Sequence, residues 1–183
     1  DRFRALSGPL GAAYVAEGAY LEGRKLLLGG EDQTLIYEQF DRALRLAPES
    51  QSVRYHIYVH VMQTVRNLLA AQRFADAEPY LSQAVDLRPS STEARYRYGT
   101  LLMALNRPAR ATLQFEALVA LEPDNTEARH QLASIFSANN QPDRAIGHLE
   151  TIVRVDSNDA GARFRLGHLV AAKGSFREAL DLF

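Results

Sequence analysis

Any chemistry in this chain has to come from histidines, arginines and scattered carboxylates, because the sequence contains no cysteine. That absence excludes disulfides, thiolate metal sites and cysteine nucleophiles. It fits a reducing or an oxidising compartment, cytoplasmic or periplasmic, equally well. His56 and His60 stand four residues apart, a helical spacing that can bring two imidazoles to one metal ion. No HExxH glutamate accompanies them and no third ligand stands at a matching interval, so ordinary packing histidines are expected and no metal site. Gly29-Gly30 reads as a helix-ending break rather than a phosphate cradle. A Gly-rich phosphate loop and a GxSxG turn are both missing. Without a convergent polar cluster, the expectation is a protein that is not an enzyme, with no catalytic residues and no cofactor. The most regular polar feature is a set of arginines: Arg54, Arg95, Arg129 and Arg163. They form either a guanidinium stripe for an anionic partner, or stems packed between repeating elements with heads on carboxylates such as Glu122 or Asp156. The structural alternative is preferred.

The elements that must carry these residues repeat. Glu93-Ala94-Arg95-Tyr96-Arg97-Tyr98-Gly99 is followed 34 residues later by Glu127-Ala128-Arg129-His130-Gln131-Leu132-Ala133. After another 34 residues comes Gly161-Ala162-Arg163-Phe164-Arg165-Leu166-Gly167. Ala77, Ala111, Ala145 and Ala179 form a second ladder, and Leu81, Phe115, Leu149 and Phe183 a third. Pro48, Pro89 and Pro123 end units. Within a unit the apolar spacing is helical, as in Tyr98, Leu101, Leu102 and Leu105. Asn106-Arg107-Pro108 marks a turn with proline near the next helix start. Ser91 or Thr92 can cap the preceding helix, and Glu93 suits its positive end. Each unit is therefore helix, turn, helix, turn.

The pattern resembles the tetratricopeptide repeat family, which has a 34-residue unit, a small residue after a large apolar one in the first helix, and alanine with an aromatic in the second. The matching residues are Tyr98-Gly99, Leu132-Ala133 and Leu166-Gly167, then Ala111 with Phe115, Ala145 with Leu149, and Ala179 with Phe183. The resemblance implies an all-α fold, a right-handed superhelical solenoid of antiparallel helix pairs. It covers units at 17–50, 51–91, 92–125, 126–159 and a cut one at 160–183, after a tail and first-helix start at 1–16. The family's first-helix tryptophan is replaced by the arginine ladder, at a position that in the family faces the contact between repeats. Ser157 stands where a terminal proline is usual. The second unit is seven residues longer than the others. Seven residues are about two helical turns, so its first helix can lengthen to about 51–71 without rotating its faces. Ser7-Gly8-Pro9 reads as the start of a helix reaching Leu28.

Carrying over the family's groove positions, the resemblance places Tyr55, Val59, Met62, Arg66 and Leu69 of the second unit on a partner-binding face. Tyr96, Thr100 and Met103 follow from the third unit, His130, Ser134 and Ser137 from the fourth, and Phe164 and His168 from the fifth. His130 and His168 lie on neighbouring first helices, where they could form a pH-sensitive contact. The lysines and asparagines with which some relatives grip a C-terminal carboxylate are replaced here by other types, including Met62, Arg66, Arg97 and Gln131, which argues against such a clamp.

The 183 residues carry 46% apolar and 23% charged residues, ordinary for a folded protein. Basic and acidic residues, 21 and 22, nearly cancel, so the basic excess of a nucleic-acid binder is missing and no nucleic-acid partner is expected. No run of apolar residues is long enough to insert in a membrane. Both ends look cut, so the chain is expected to be a fragment of a longer protein. The leading functional expectation is a scaffold that holds a peptide or protein. The alternative is the repeat arm of a larger enzyme, glycosyltransferase-like, or of a bacterial secretion or export assembly. RNA binding in the manner of related 35-residue repeats is weakest. An apolar flank of Phe176, Leu180 and Phe183 at the last unit leads us to expect a homodimer through that end.

Overall fold

A computed structural model of the chain describes residues 9–29 and 33–182, and among them there are ten helices and no strand. The helices are α1 (Pro9–Gly29), α2 (Gln33–Leu46), α3 (Gln51–Ala70), α4 (Phe74–Leu87), α5 (Thr92–Ala104), α6 (Pro108–Leu121), α7 (Thr126–Ala138), α8 (Pro142–Val155), α9 (Ala160–Ala172) and α10 (Phe176–Leu182). The expected start at Pro9 is observed, whereas the tail at 1–8 and Gly30 lie outside the described residues. Contacts divide the chain into two compact units: Asp1–Arg73 with Pro79–Pro89, and Phe74–Glu78 with Ser90–Phe183.

In the second unit, α5, α7 and α9 begin at Thr92, Thr126 and Ala160 and end at Ala104, Ala138 and Ala172. Each starts because a side chain serves its orphan amides. Ser91 accepts from the Ala94 N–H at 3.2 Å, Asn125 from Ala128 at 2.9 Å and Asp159 from Ala162 at 2.8 Å. Each stops at a left-handed residue: Asn106 and Asn140 at φ 56° and Gly174 at φ 91°. The next amide then reaches back over the helix end, Arg107 to the Leu102 carbonyl and Gln141 to that of Phe136 at 2.8 Å, and Ser175 to that of Val170 at 3.2 Å. Pro108 and Pro142 open the following helices at the position where a missing N–H costs nothing.

The core of this unit lies along those pairs. Ala111, Ala145, Phe115 and Leu149 are fully buried, and Tyr98, Leu132 and Leu166 are buried beside them. Gly99 shows why a small residue follows the large one. A Cβ built there would lie 2.7 Å from the Phe115 ring, inside contact distance. Burying Phe115 contributes roughly 1.5–3 kcal/mol, and the bare glycine backbone is what lets the ring sit there. The chain between Ala133 and Ala179 closes into one cluster with Leu149, Ile152, Ala162, Leu166 and Val170.

The first unit uses the same devices. Ser50 caps α3 through the Val53 N–H. A Cβ on Gly23 would come within 2.8 Å of Phe40, repeating the glycine-on-ring approach. The Tyr20 ring stacks on Phe40 with centroids 5.7 Å apart. α3 has 20 residues where α5 has 13, so the seven additional residues lengthen this helix. Gln72 ends it at φ 56°, the conformation held by Asn106 and Asn140 elsewhere.

Candidate functional site

The arginine ladder is the first polar feature to place. The Arg54 guanidinium donates to the Leu87 carbonyl and the Pro48 carbonyl, each at 3.2 Å, and to the Asp86 carbonyl. Arg129 donates to the Pro123 carbonyl at 2.8 Å and to His148 Nδ1 at 3.2 Å. Arg163 donates to the Leu182 carbonyl at 3.0 Å, and Arg95 to Gln114 Oε1 at 3.3 Å. The expected carboxylate partners Glu122 and Asp156 are replaced by main-chain carbonyls and neutral side chains. The physical reason is that the last turn of a helix carries unsatisfied carbonyls and a partial negative charge. A guanidinium laid across that end satisfies several at once. The ladder fastens the ends and turns of second helices.

Arg129 also fixes its neighbour's protonation. A guanidinium only donates, so His148 Nδ1 accepts and the ring is neutral, with its proton on Nε2. The ring stacks on Phe136 at 5.5 Å, and the Arg144 guanidinium lies 3.8 Å from the Phe136 centroid. Burial, then the positive charges of Arg129 and Arg144, push the His148 pKa down to about 4.

The proposed partner-facing residues recur in register on the first helices. In the second unit, Thr100, Ser134 and His168 stand 34 residues apart and all are exposed; Ser137 is exposed too. Tyr96, His130 and Phe164 form the next ladder, with Tyr96 and His130 half-buried and Phe164 57% exposed. Met103 is half-buried. Tyr96 meets Phe115 edge-on at 6.0 Å, and Phe164 packs edge-on against His168 at 4.4 Å. His130 was expected to approach His168. The partner it takes is the α9 cap: Nε2 lies 2.7 Å from Asp159 Oδ2. The Ala162 amide on its other oxygen and then His130 hold the Asp159 carboxyl below the usual carboxylate range. Arg165 donates to Ser134 Oγ at 3.0 Å, and Ser134 donates to the His130 carbonyl at 3.0 Å. Asp159 and Arg165 therefore tie α7 to α9, and sequence reading missed both roles. The only hint was the polar type recurring at Ser91, Asn125 and Asp159.

In the first unit, Tyr55 is 49% and Val59 45% exposed on α3. Arg66 is exposed on the same stripe and Leu69 is half-buried. Met62 is a correction. It is only 4% exposed, because it lies at the edge of that stripe with its thioether turned into the core, and it cannot meet a partner. Sequence reading also missed Arg88, taken only as part of a unit end. Its guanidinium lies 5.3 Å from the Tyr55 centroid and 5.2 Å from that of Tyr58.

His56 and His60 belong to an aromatic cluster instead of a metal site. His56 stacks on Tyr20 at 5.0 Å, and His60 meets Phe40 at 5.1 Å and Tyr37 at 5.9 Å. Burial holds the His60 imidazole below its ordinary pKa and pushes the Tyr37 phenol up to about 12. Tyr37 donates to Thr64 Oγ1 at 3.3 Å. Among the described residues no three histidines or carboxylates gather in a way that could hold a metal. No described helix is long and apolar enough to cross a membrane.

Two family profiles, both described as tetratricopeptide repeat, match residues 68–135 and 130–183. The chain belongs to the tetratricopeptide repeat family. Solved structures agree at the level of fold, an all-α helical repeat of solenoid class. The crystal structure of MamA is similar with TM-score 0.61 and 20% identity, over 88% of this chain and 90% of that one. YrrB, described as a tetratricopeptide repeat protein with an unusual peptide-binding site, is similar with TM-score 0.57 and 19% identity, over 96% of this chain and 82% of that one. The first repeat domain of Spaghetti bound to an HSP90 peptide gives TM-score 0.57 and 16% identity, over 64% of this chain and 94% of that one. No curated protein matches this tetratricopeptide repeat chain in sequence.

Proposed function

We propose that this tetratricopeptide repeat chain is a non-catalytic scaffold that docks a peptide or protein segment on the outward faces of its first helices. The observation that carries the reading is the pair of ladders Tyr96/His130/Phe164 and Thr100/Ser134/His168. They keep aromatic, imidazole and hydroxyl groups in register and in reach of solvent, while the interleaved Tyr98/Leu132/Leu166 ladder is buried. Nothing in core packing requires Phe164 to stay 57% exposed. Aromatics are the residue types that anchor interfaces. Tyr55, Val59 and Arg66 extend the set on the first unit. Peptide binding by YrrB and by the Spaghetti domain supports the reading by analogy of fold.

The test is capture of partners from a lysate by wild-type protein and by Tyr96→Ala and Phe164→Ala. Capture that falls with both changes at unchanged melting temperature supports the proposal, and capture indifferent to both moves the site off these faces. We further propose that a second copy covers α10, where Phe176 and Leu180 are 68% and 72% exposed; Phe183 lies outside the described residues. Sedimentation that stays monomeric at high concentration rules this out.

A further inference from the structure

The stripe on α3 has a chemistry of its own. Tyr55, Val59, Gln63 and Arg66 are exposed and follow one another at helical spacing along one side of the helix. At one end Arg88 lies over the rings of Tyr55 and Tyr58. This contact uses the face of the guanidinium and leaves its N–H edge free, and no carboxylate takes it. At the other end Arg66 donates to the neutral Gln63 Oε1 at 2.6 Å, and Gln63 is itself held by Asn67 at 3.0 Å. Elsewhere in the protein, exposed guanidiniums pair with carboxylates, as Arg97 does with Glu93, Arg107 with Glu78 and Arg144 with Glu116. The stripe thus sets an apolar patch between two cations without carboxylate partners.

We propose that this surface binds an acidic segment of a partner protein, in which two carboxylate side chains flank one apolar residue. The inference rests on the reading that first-helix faces dock a peptide, and it specifies the partner for the first unit. Arg88 takes one carboxylate in the two-pronged manner open to a guanidinium whose plane is already fixed by aromatic faces. Tyr55 and Val59 take the apolar side chain. Arg66 takes the second carboxylate. From the level of Tyr55 to that of Arg66 along the helix is about 16 Å. An extended strand covers this in about five residues, which sets the spacing of the two acids.

The experiment uses fluorescence anisotropy with labelled peptides of extended sequence, capped at both ends so that no terminal carboxylate contributes. One peptide carries two glutamates about five residues apart around a leucine, and its counterpart has glutamines instead. The acidic peptide is expected to bind about tenfold more tightly than its counterpart, the scale of one charge-assisted contact. Arg88→Gln and Arg66→Gln should each remove most of that preference, Arg88→Lys should restore part of it, and added salt should weaken it. Circular dichroism of each variant checks the fold, and the peptide-side exchange tests the charge without altering the protein. Equal binding of the two peptides, or a preference indifferent to both arginine changes, overturns the proposal. If binding depends on Tyr96 and Phe164 while charge is irrelevant, the docking reading survives and only the acidic specificity falls. If no peptide binds and partner capture also ignores Tyr96 and Phe164, both fall.

Discussion

Acid should loosen the packing of α7 against α8, and His148 is the group responsible. Its Nδ1 accepts from Arg129, its face lies on Phe136, and Arg144 is on the same ring, with Glu116 holding Arg144 at 2.6 Å. A second proton has to enter beside two guanidiniums and deprives Arg129 of its acceptor. In the unfolded chain the imidazole titrates near its ordinary 6.5, whereas folding lowers it to about 4. Above 6.5 both states are neutral and the group does not affect stability. Between 6.5 and 4 only the unfolded chain takes up the proton, so stability rises with pH in this window and is lost as pH falls through it. A shift of about 2.5 units sets a ceiling of about 3 kcal/mol. The ring is only half-buried, and solvent screening reduces the expected loss to about 1–2 kcal/mol. Urea unfolding followed by circular dichroism, at about pH 7.5 and about pH 4.5, measures it for the wild type and for His148→Gln. Glutamine can still accept from Arg129 but does not titrate. His60 and Asp159, whose values are also depressed, contribute equally to both proteins and cancel in the difference. Parallel pH profiles for the two proteins would refute the argument.

Three further predictions follow from the backbone and the core. Gln72→Gly should raise stability by about 1 kcal/mol in urea unfolding, because a residue with a Cβ is strained at φ 56°, while the same change at Asn106 should yield less. Gly99→Ala should lower it by about 1–3 kcal/mol through the clash with Phe115, the opposite sign to an ordinary helical glycine, with Phe115→Leu in the same chain recovering part of the loss. Arg129→Met keeps the apolar stem but releases the Pro123 carbonyl and His148, and should cost about 1–2 kcal/mol in the same assay. Loss of partner capture by Arg129→Met at full stability would show the ladder to be a binding stripe instead.

The helices were legible because a stacked repeat forces one solution to recur. Every pair must bury the same positions against its neighbour, so Ala111 and Ala145, or Phe115 and Leu149, appear at one interval, and so do the caps Ser91, Asn125 and Asp159. The lengthening of α3 was legible for a related reason, since an insertion of two turns preserves which side of a helix faces inward. Polar partners were not legible. Arg54 and Arg163 meet main-chain carbonyls, and a carbonyl carries no residue type for a sequence pattern to register. Met62 was misplaced because the family's face positions assume helices of standard length, and on α3 the boundary between stripe and core passes between Met62 and its neighbours Val59 and Arg66.

The same distinction separates the two kinds of arginine. Those on the ladder lie flat across helix ends, use their N–H groups on carbonyls, and have little left for a partner. Arg88 differs because its support comes from the Tyr55 and Tyr58 rings, which occupy its face and none of its donors. An arginine held by aromatic faces is oriented without being satisfied, and this is the condition a recognition residue has to meet. That difference in how the side chain is held, more than its exposure, is the reason to look for an anion at Arg88 and not at Arg54.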